Sequence, residues 1–219
     1  MSETISTLSN KRIVISLLLV VMIPVCAKIL DLILDEEWIS LMVSMNIFTA
    51  VLVMYNWNLV AIHWNRAKEN IPETITYTVI GLVLTLLWSL LGSGFFQAYL
   101  ILPPAYALIG YGYARPGFLI AFSFMESGML NMTFKIMTDH FDVIHKEVLT
   151  ILLSALVVGL FITVLFVPFE SFSLLIRSYV YYMGLIAILS YLYNQTHSVV
   201  AGTAALGFTY LIMMMMSMM

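Results

Sequence analysis

The stretch IVISLLLVVMIPVCAKILDLIL, Ile13 to Leu34, decides the class of this protein. It follows Lys11-Arg12, as the apolar part of a secretory signal peptide would. It runs on through Pro24 to Leu34 without a small-x-small cleavage pattern, so a retained transmembrane anchor is expected. Ile23-Pro24-Val25-Cys26 lacks the small residue expected before a lipid-modified cysteine, and Ser217-Met218-Met219 carries no prenylation signal. Cys26 is the single cysteine and can form no internal disulfide.

The same reading extends outward. Of 219 residues, 62% are hydrophobic and 10% charged, with a mean hydropathy of +1.02. Soluble domains carry about 25% charged residues, which excludes a water-soluble fold. A net charge of −3 and the lack of a basic run argue against a nucleic-acid partner.

Stretches of about 20 apolar residues cross a bilayer. They are predicted near Ile13–Leu34, Trp38–Ile62, Ile75–Leu91 and Phe95–Tyr113, then near Gly117–Thr138, Val148–Val167, Phe172–Tyr193 and Ser198–Met218. Gly92-Ser93-Gly94 and Pro103-Pro104 interrupt the third-to-fourth junction, leaving seven helices or a re-entrant segment as alternatives. Continuous apolar runs speak against a β-barrel, whose strands alternate. The expectation is an all-α polytopic bundle of about eight transmembrane helices. It forms a single integral membrane domain, with amino-terminal helices over 13–113 and a second set over 117–218.

Lysine and arginine placement sets orientation. Eight spans with the amino end inside put Lys11, Arg12, Arg66, Lys68, Arg115 and Arg177 in the cytoplasm. Lys28, Lys135, Lys146 and the acidic Asp35-Glu36-Glu37 then lie outside. Both termini are therefore expected in the cytoplasm.

Within FMESGMLNMTF, Phe124 to Phe134, Glu126 is the one carboxylate in the middle of a span. An ionised carboxylate at bilayer centre costs roughly 2.5–3.5 kcal/mol on insertion scales. Desolvation favours a protonated, hydrogen-bonding Glu126, and the plainest role is a polar contact with a neighbouring helix. Ser123 and Leu130 share its face; Asn131 does so only in part. Asp139, His140, Asp142 and His145 form a polar loop whose spacing matches no strong zinc pattern. His63 and His197 read as interface residues. No metal or cofactor is expected. No nucleophile elbow, phosphate loop or HExxH helix occurs. Ser198 and Gly202 form one row of small residues and Ala201, Ala205 and Thr209 another, a pattern that lets helices approach closely. Glu126, Asn131, Ser198 and Gly202 are the candidate binding residues.

The segment from Ala121 to Ile212 resembles the CPBP (Abi) family of intramembrane proteases, related to the Ras-converting endoproteases. Three segments carry the resemblance: Met125-Glu126-Ser127-Gly128-Met129-Leu130, the run Leu152 to Ile162, and Gln195 to Tyr210. They are similar in order and separation to the family's Glu-Glu-x-x-x-Arg helix, its Phe-x-x-x-His helix and its last, His-containing motif. Carried over residue by residue, the glutamate pair falls on Met125 and Glu126, and the arginine on Leu130. The Phe-x-x-x-His pair falls on Val158 and Ile162. The last histidine falls on Leu206, and the final Asn or Asp on Tyr210. Such proteolysis needs a carboxylate and imidazoles to activate water and hold the oxyanion; only Glu126 keeps a suitable group.

The resemblance thus implies a degenerate, catalytically inactive member in a bacterial cytoplasmic (plasma) membrane. Its expected role is a binding or assembly subunit in self-immunity, peptide maturation or envelope-complex scaffolding. Its partners would be membrane lipid and another integral membrane protein or a hydrophobic peptide. Alternatives are a small-solute transporter, or its substrate-binding subunit, using Glu126, and an active protease with displaced catalytic residues.

Overall fold

A computed structural model describes residues 8–102, 115–138 and 147–217. Among them are eight helices and no strand: α1 (Asn10–Leu34), α2 (Glu37–Tyr55), α3 (Trp57–Glu69), α4 (Ile71–Gly94), α5 (Arg115–Thr138), α6 (Glu147–Phe166), α7 (Phe172–Thr196) and α8 (Val199–Met216). Six of them, all but α3 and α5, are long and apolar enough to cross a membrane. The chain is a membrane-embedded all-α bundle.

α4 is apolar on its outer face and small or polar on its inner one. On α4, Ile75, Val79, Val83 and Leu87 face outward, whereas the buried line is Gly81, Thr85, Ser89 and Gly92. Lipid solvates apolar side chains as well as a protein core does, so close backbone approach and hydrogen bonds decide which face turns inward. A Cβ at Gly81 would lie 2.6 Å from Leu192 Cδ1 and 2.9 Å from Ala205 Cβ. One turn further, the Thr85 and Thr209 hydroxyls meet at 2.7 Å. The Ala205–Thr209 row of α8 therefore packs on α4, while its Ser198–Gly202 row faces α3 and α5.

The central helix is α5. From Phe122 to Thr138 nearly every side chain is buried or half-buried, including Ser123, Glu126, Ser127, Asn131, Thr133 and Lys135. It packs against α8, α2 and α1, with further contacts to α6 and α7.

Three expectations are corrected. The span expected over Trp38–Ile62 breaks at Asn56, whose buried side chain donates to Leu52 O at 3.0 Å and to Ser16 Oγ at 2.9 Å. Beyond it, α3 is short and amphipathic, burying Leu59, His63 and Ala67 while Trp57, Trp64 and Lys68 are exposed. The helix expected over Phe95–Tyr113 does not form through 95–102, where the chain leaves α4 with Gln97 at a positive φ of 49°. Residues 103–114 lie outside the described residues, as does the polar loop Asp139–His145.

The third correction concerns the chain ends. Arg12 donates to Tyr55 O, and Ser198 Oγ to His63 O, so the starts of α1 and α8 share one end of the bundle, here the His63 end. The far end of α8 shares a pocket, through Met214 and Ser217, with Ser93 and Ala98 at the Tyr99 end. Leu8 and Ser217 therefore lie at opposite ends. α2 still crosses once, so it is the non-helical 95–102 segment, and not the break at Asn56, that removes one of the eight expected crossings.

Candidate functional site

Most polar side chains of α5 are satisfied by its own backbone or by α8. Ser123 donates to Leu119 O at 2.7 Å, Thr133 to Met129 O at 2.7 Å, and Asn131 Nδ2 to Ser127 O at 3.0 Å. Ser127 donates across to Thr203 O. Glu126 is the exception. It is 0% exposed, and neither carboxyl oxygen completes a regular hydrogen bond among the described residues. The Tyr210 hydroxyl of α8 is the polar group directed at it.

Two adjacent tyrosines of α7 complete the surroundings. Tyr181 Oη lies 3.0 Å from Ser89 Oγ of α4 and has Tyr210 as a second polar neighbour. Its ring stands edge-on to Tyr182 at 5.0 Å between centroids. Tyr182 is also fully buried; its hydroxyl completes no regular hydrogen bond among the described residues and has the Ile101 backbone as its polar neighbour. Four helices thus place one carboxyl, three phenol hydroxyls and the Ser89 hydroxyl together in an apolar interior. Such a group can donate to or accept from a polar atom brought into it, and buried polar groups without partners are rare enough to mark a site.

The positions carried over from the family converge on the same core. Leu130, Val158, Ile162 and Leu206 are each 0% exposed and belong, with Tyr210, to one buried cluster; Met125 is half-buried. Apart from Tyr210, these side chains are apolar and have no group able to take a proton from water.

The other candidate residues serve packing. A Cβ at Gly202 would lie 2.8 Å from Asn131 Oδ1, so this glycine makes room for the asparagine where α5 and α8 cross. Ser198 caps α8, accepting from Val200 N at 3.2 Å, and its donation to His63 O at 2.8 Å ties down α3. The structure brings Asn131 beside Gly202 but joins neither them nor Ser198 to Glu126 by a hydrogen bond.

A second polar cluster closes the His63 end. The His63 Nδ1–H donates to His197 O at 3.3 Å, and Arg66 Nη1 donates to the same carbonyl at 3.2 Å. His197 turns the chain at a positive φ of 49°. The Lys135 ammonium lies 4.4 Å from the Tyr193 ring centroid, and that ring is edge-on to His63. Burial pushes the His63 imidazole down to about 4, and the nearby Lys135 and Arg66 charges push the same way.

Sequence reasoning missed Ser89, Tyr181 and Tyr182. The available signal was a pair of tyrosines well inside a span, away from the interface where tyrosine is ordinarily placed. Comparison with protein-family models, curated proteins and solved structures gives no match. The resemblance to the CPBP family rests on the quoted segments.

Proposed function

We propose that this chain is a non-catalytic membrane subunit that binds or assembles with a partner inside the bilayer, through the interior around Glu126. The observation that carries this reading is a fully buried carboxyl that completes no regular hydrogen bond, with Tyr210 as its polar neighbour, in a core where Leu130, Val158, Ile162 and Leu206 are all buried and apolar. Activating water for peptide hydrolysis requires polar groups at such positions. The resemblance supports a CPBP-derived scaffold that has lost its chemistry and retained an interior for a hydrophobic peptide or a partner helix.

Orientation follows from charge. The His63 end carries Lys11, Arg12, Arg66, Lys68 and Lys135; the Tyr99 end carries Lys28, Arg115 and Arg177 with the acidic Asp35-Glu36-Glu37. Under the positive-inside rule the His63 end faces the cytoplasm. The amino end is then cytoplasmic and the Ser217 end faces outward, in a bacterial cytoplasmic membrane.

The test is purification from native membrane of wild type, Glu126→Gln and Glu126→Leu, with identification of any stoichiometric partner. Gln keeps hydrogen-bonding capacity and is expected to retain the partner; Leu is expected to release it while the fold persists. Equal retention in all three ends the assignment of Glu126. Specific peptide cleavage by the purified protein, lost in Glu126→Ala, ends the non-catalytic reading. The unmatched carboxyl also suits a proton-coupled transporter. In that case Glu126→Gln abolishes pH-dependent uptake without releasing any partner.

A further inference from the structure

An apolar groove runs along the flank of the bundle between α2, α3, α5 and α8. Its volume is about 300 Å³, at the lower end for a small-molecule site. Val53, Trp64, Gly128, Met132, Val200 and Ala204 are among its lining residues, with almost no polar surface. Gly128 deepens the floor: a Cβ there would meet nothing closer than Thr49 Cγ2 at 3.9 Å. Thr203 and Trp64 carry the only polar side-chain atoms of this lining, too few to match the hydrogen-bonding groups of a sugar or a peptide backbone.

Its mouth is cationic. Trp64 stands at the His63 end, and the Lys68 ammonium lies over its ring, 5.5 Å from the centroid. Arg66, two residues before Lys68 and so on another face of α3, is engaged with His197 O, two residues before the lining Val199. Both cations are at least partly exposed. The combination has one natural counterpart in a bilayer: an acyl chain long enough to fill an apolar slot, attached to an anionic headgroup at the membrane surface. Basic pockets between transmembrane helices take acidic lipid headgroups for this electrostatic reason.

We propose that the groove holds one acyl chain of an anionic glycerophospholipid, whose phosphate sits beside Lys68 at the mouth. The lipid then fills the seam between α3 and the α5–α8 pair, and α3 serves as its lid at the interface.

The test places the protein in phosphatidylcholine nanodiscs and adds phosphatidylglycerol or further phosphatidylcholine, each brominated midway along its chains. Tryptophan fluorescence of wild type minus that of Trp64→Phe isolates the groove signal. Brominated phosphatidylglycerol is expected to quench this signal saturably at low mole fraction. Brominated phosphatidylcholine should need about five-fold more, the factor one basic residue at a membrane surface contributes. Lys68→Gln, a change at an exposed side chain, should remove most of that difference while circular dichroism stays unchanged. Equal quenching by the two lipids, or a preference untouched in both Lys68→Gln and Lys68→Glu, overturns the proposal. So does an absence of quenching, or a photo-crosslinker at Val200 that captures a polypeptide instead of lipid.

Discussion

α4 and α5 are of equal length, 24 residues each, and lie on opposite sides of a rule that holds in water. α4 has a clean membrane composition and sits at the periphery, its large apolar side chains turned to lipid. α5 carries Glu126 and Lys135, does not qualify as a span by composition, and runs through the centre. In a bilayer, therefore, an apolar composition does not by itself place a helix in the protein interior. The two helices also differ in how polar groups are treated. Thr85 and Ser89 of α4 each meet a hydroxyl, on Thr209 and Tyr181, whereas Glu126 of α5 completes no regular hydrogen bond. The first arrangement is a packing seam, and the second leaves bonding capacity in reserve.

The seam should be the most sensitive to bulk. Gly81→Leu drives a side chain into Leu192 and Ala205 and should cost about 3 kcal/mol, the upper range for overpacking, read by unfolding in detergent. A cost under 1 kcal/mol would show that α4 can slide and that the seam is loose.

His63 is intermediate between the two cases, with Nδ1 bonded and Nε2 unmatched. Its imidazole titrates at about 4 when buried and near 6.5 when released, so between those values the released state binds the extra proton. Its contribution to stability is complete above about pH 6.5 and lost as pH falls toward 4, at most roughly 3 kcal/mol. Protection of the amides over 57–69, read by hydrogen exchange corrected for the intrinsic pH dependence of the exchange rate, should fall between pH 7 and 5 in wild type. His63→Gln should abolish this dependence; a flat wild-type profile would mean α3 is held without His63.

Glu126→Leu tests the other side of the comparison. Removing a buried carboxyl that completes no regular hydrogen bond among the described residues should stabilise the isolated protein by about 2 kcal/mol, a sign opposite to that for Gly81→Leu. Measured destabilisation would reveal a matched carboxyl and reduce Glu126 to another seam residue. The smallest effect belongs to Leu87→Ala on the outer face of α4, within about 0.5 kcal/mol despite the size of the deletion. A core-like loss there would mean that a partner helix covers this face.

The sequence makes α4, α6, α7 and α8 legible because apolar length is a membrane helix's strongest signal, and each lies within a few residues of its expected span. The break at Asn56 is hidden, because an asparagine between Tyr55 and Trp57 looks like an ordinary interfacial residue. Only the tertiary bond to Ser16 fixes its role. Phe95–Leu102 is apolar enough for a helix, yet Gln97 at positive φ and the bond from Tyr99 N to Ser178 Oγ hold it extended. Glu126 stands out on cost alone. Its tyrosine neighbours do not, since hydropathy cannot say which side chains of α7 and α8 turn toward α5.

The position of Tyr210 on α8 has a consequence for biogenesis. α8 is the last of the described helices to leave the ribosome, and it supplies Tyr210, Thr209 and the Thr203 carbonyl that Ser127 uses. Before it inserts, the Gly81–Thr85 row, Ser127 and Glu126 line an open cleft facing lipid tails, which offer no hydrogen bonds. A nascent chain stalled at that stage displays a polar scar in the bilayer. Insertases and membrane quality-control proteases would meet this intermediate, and the arrival of α8 ends its exposure.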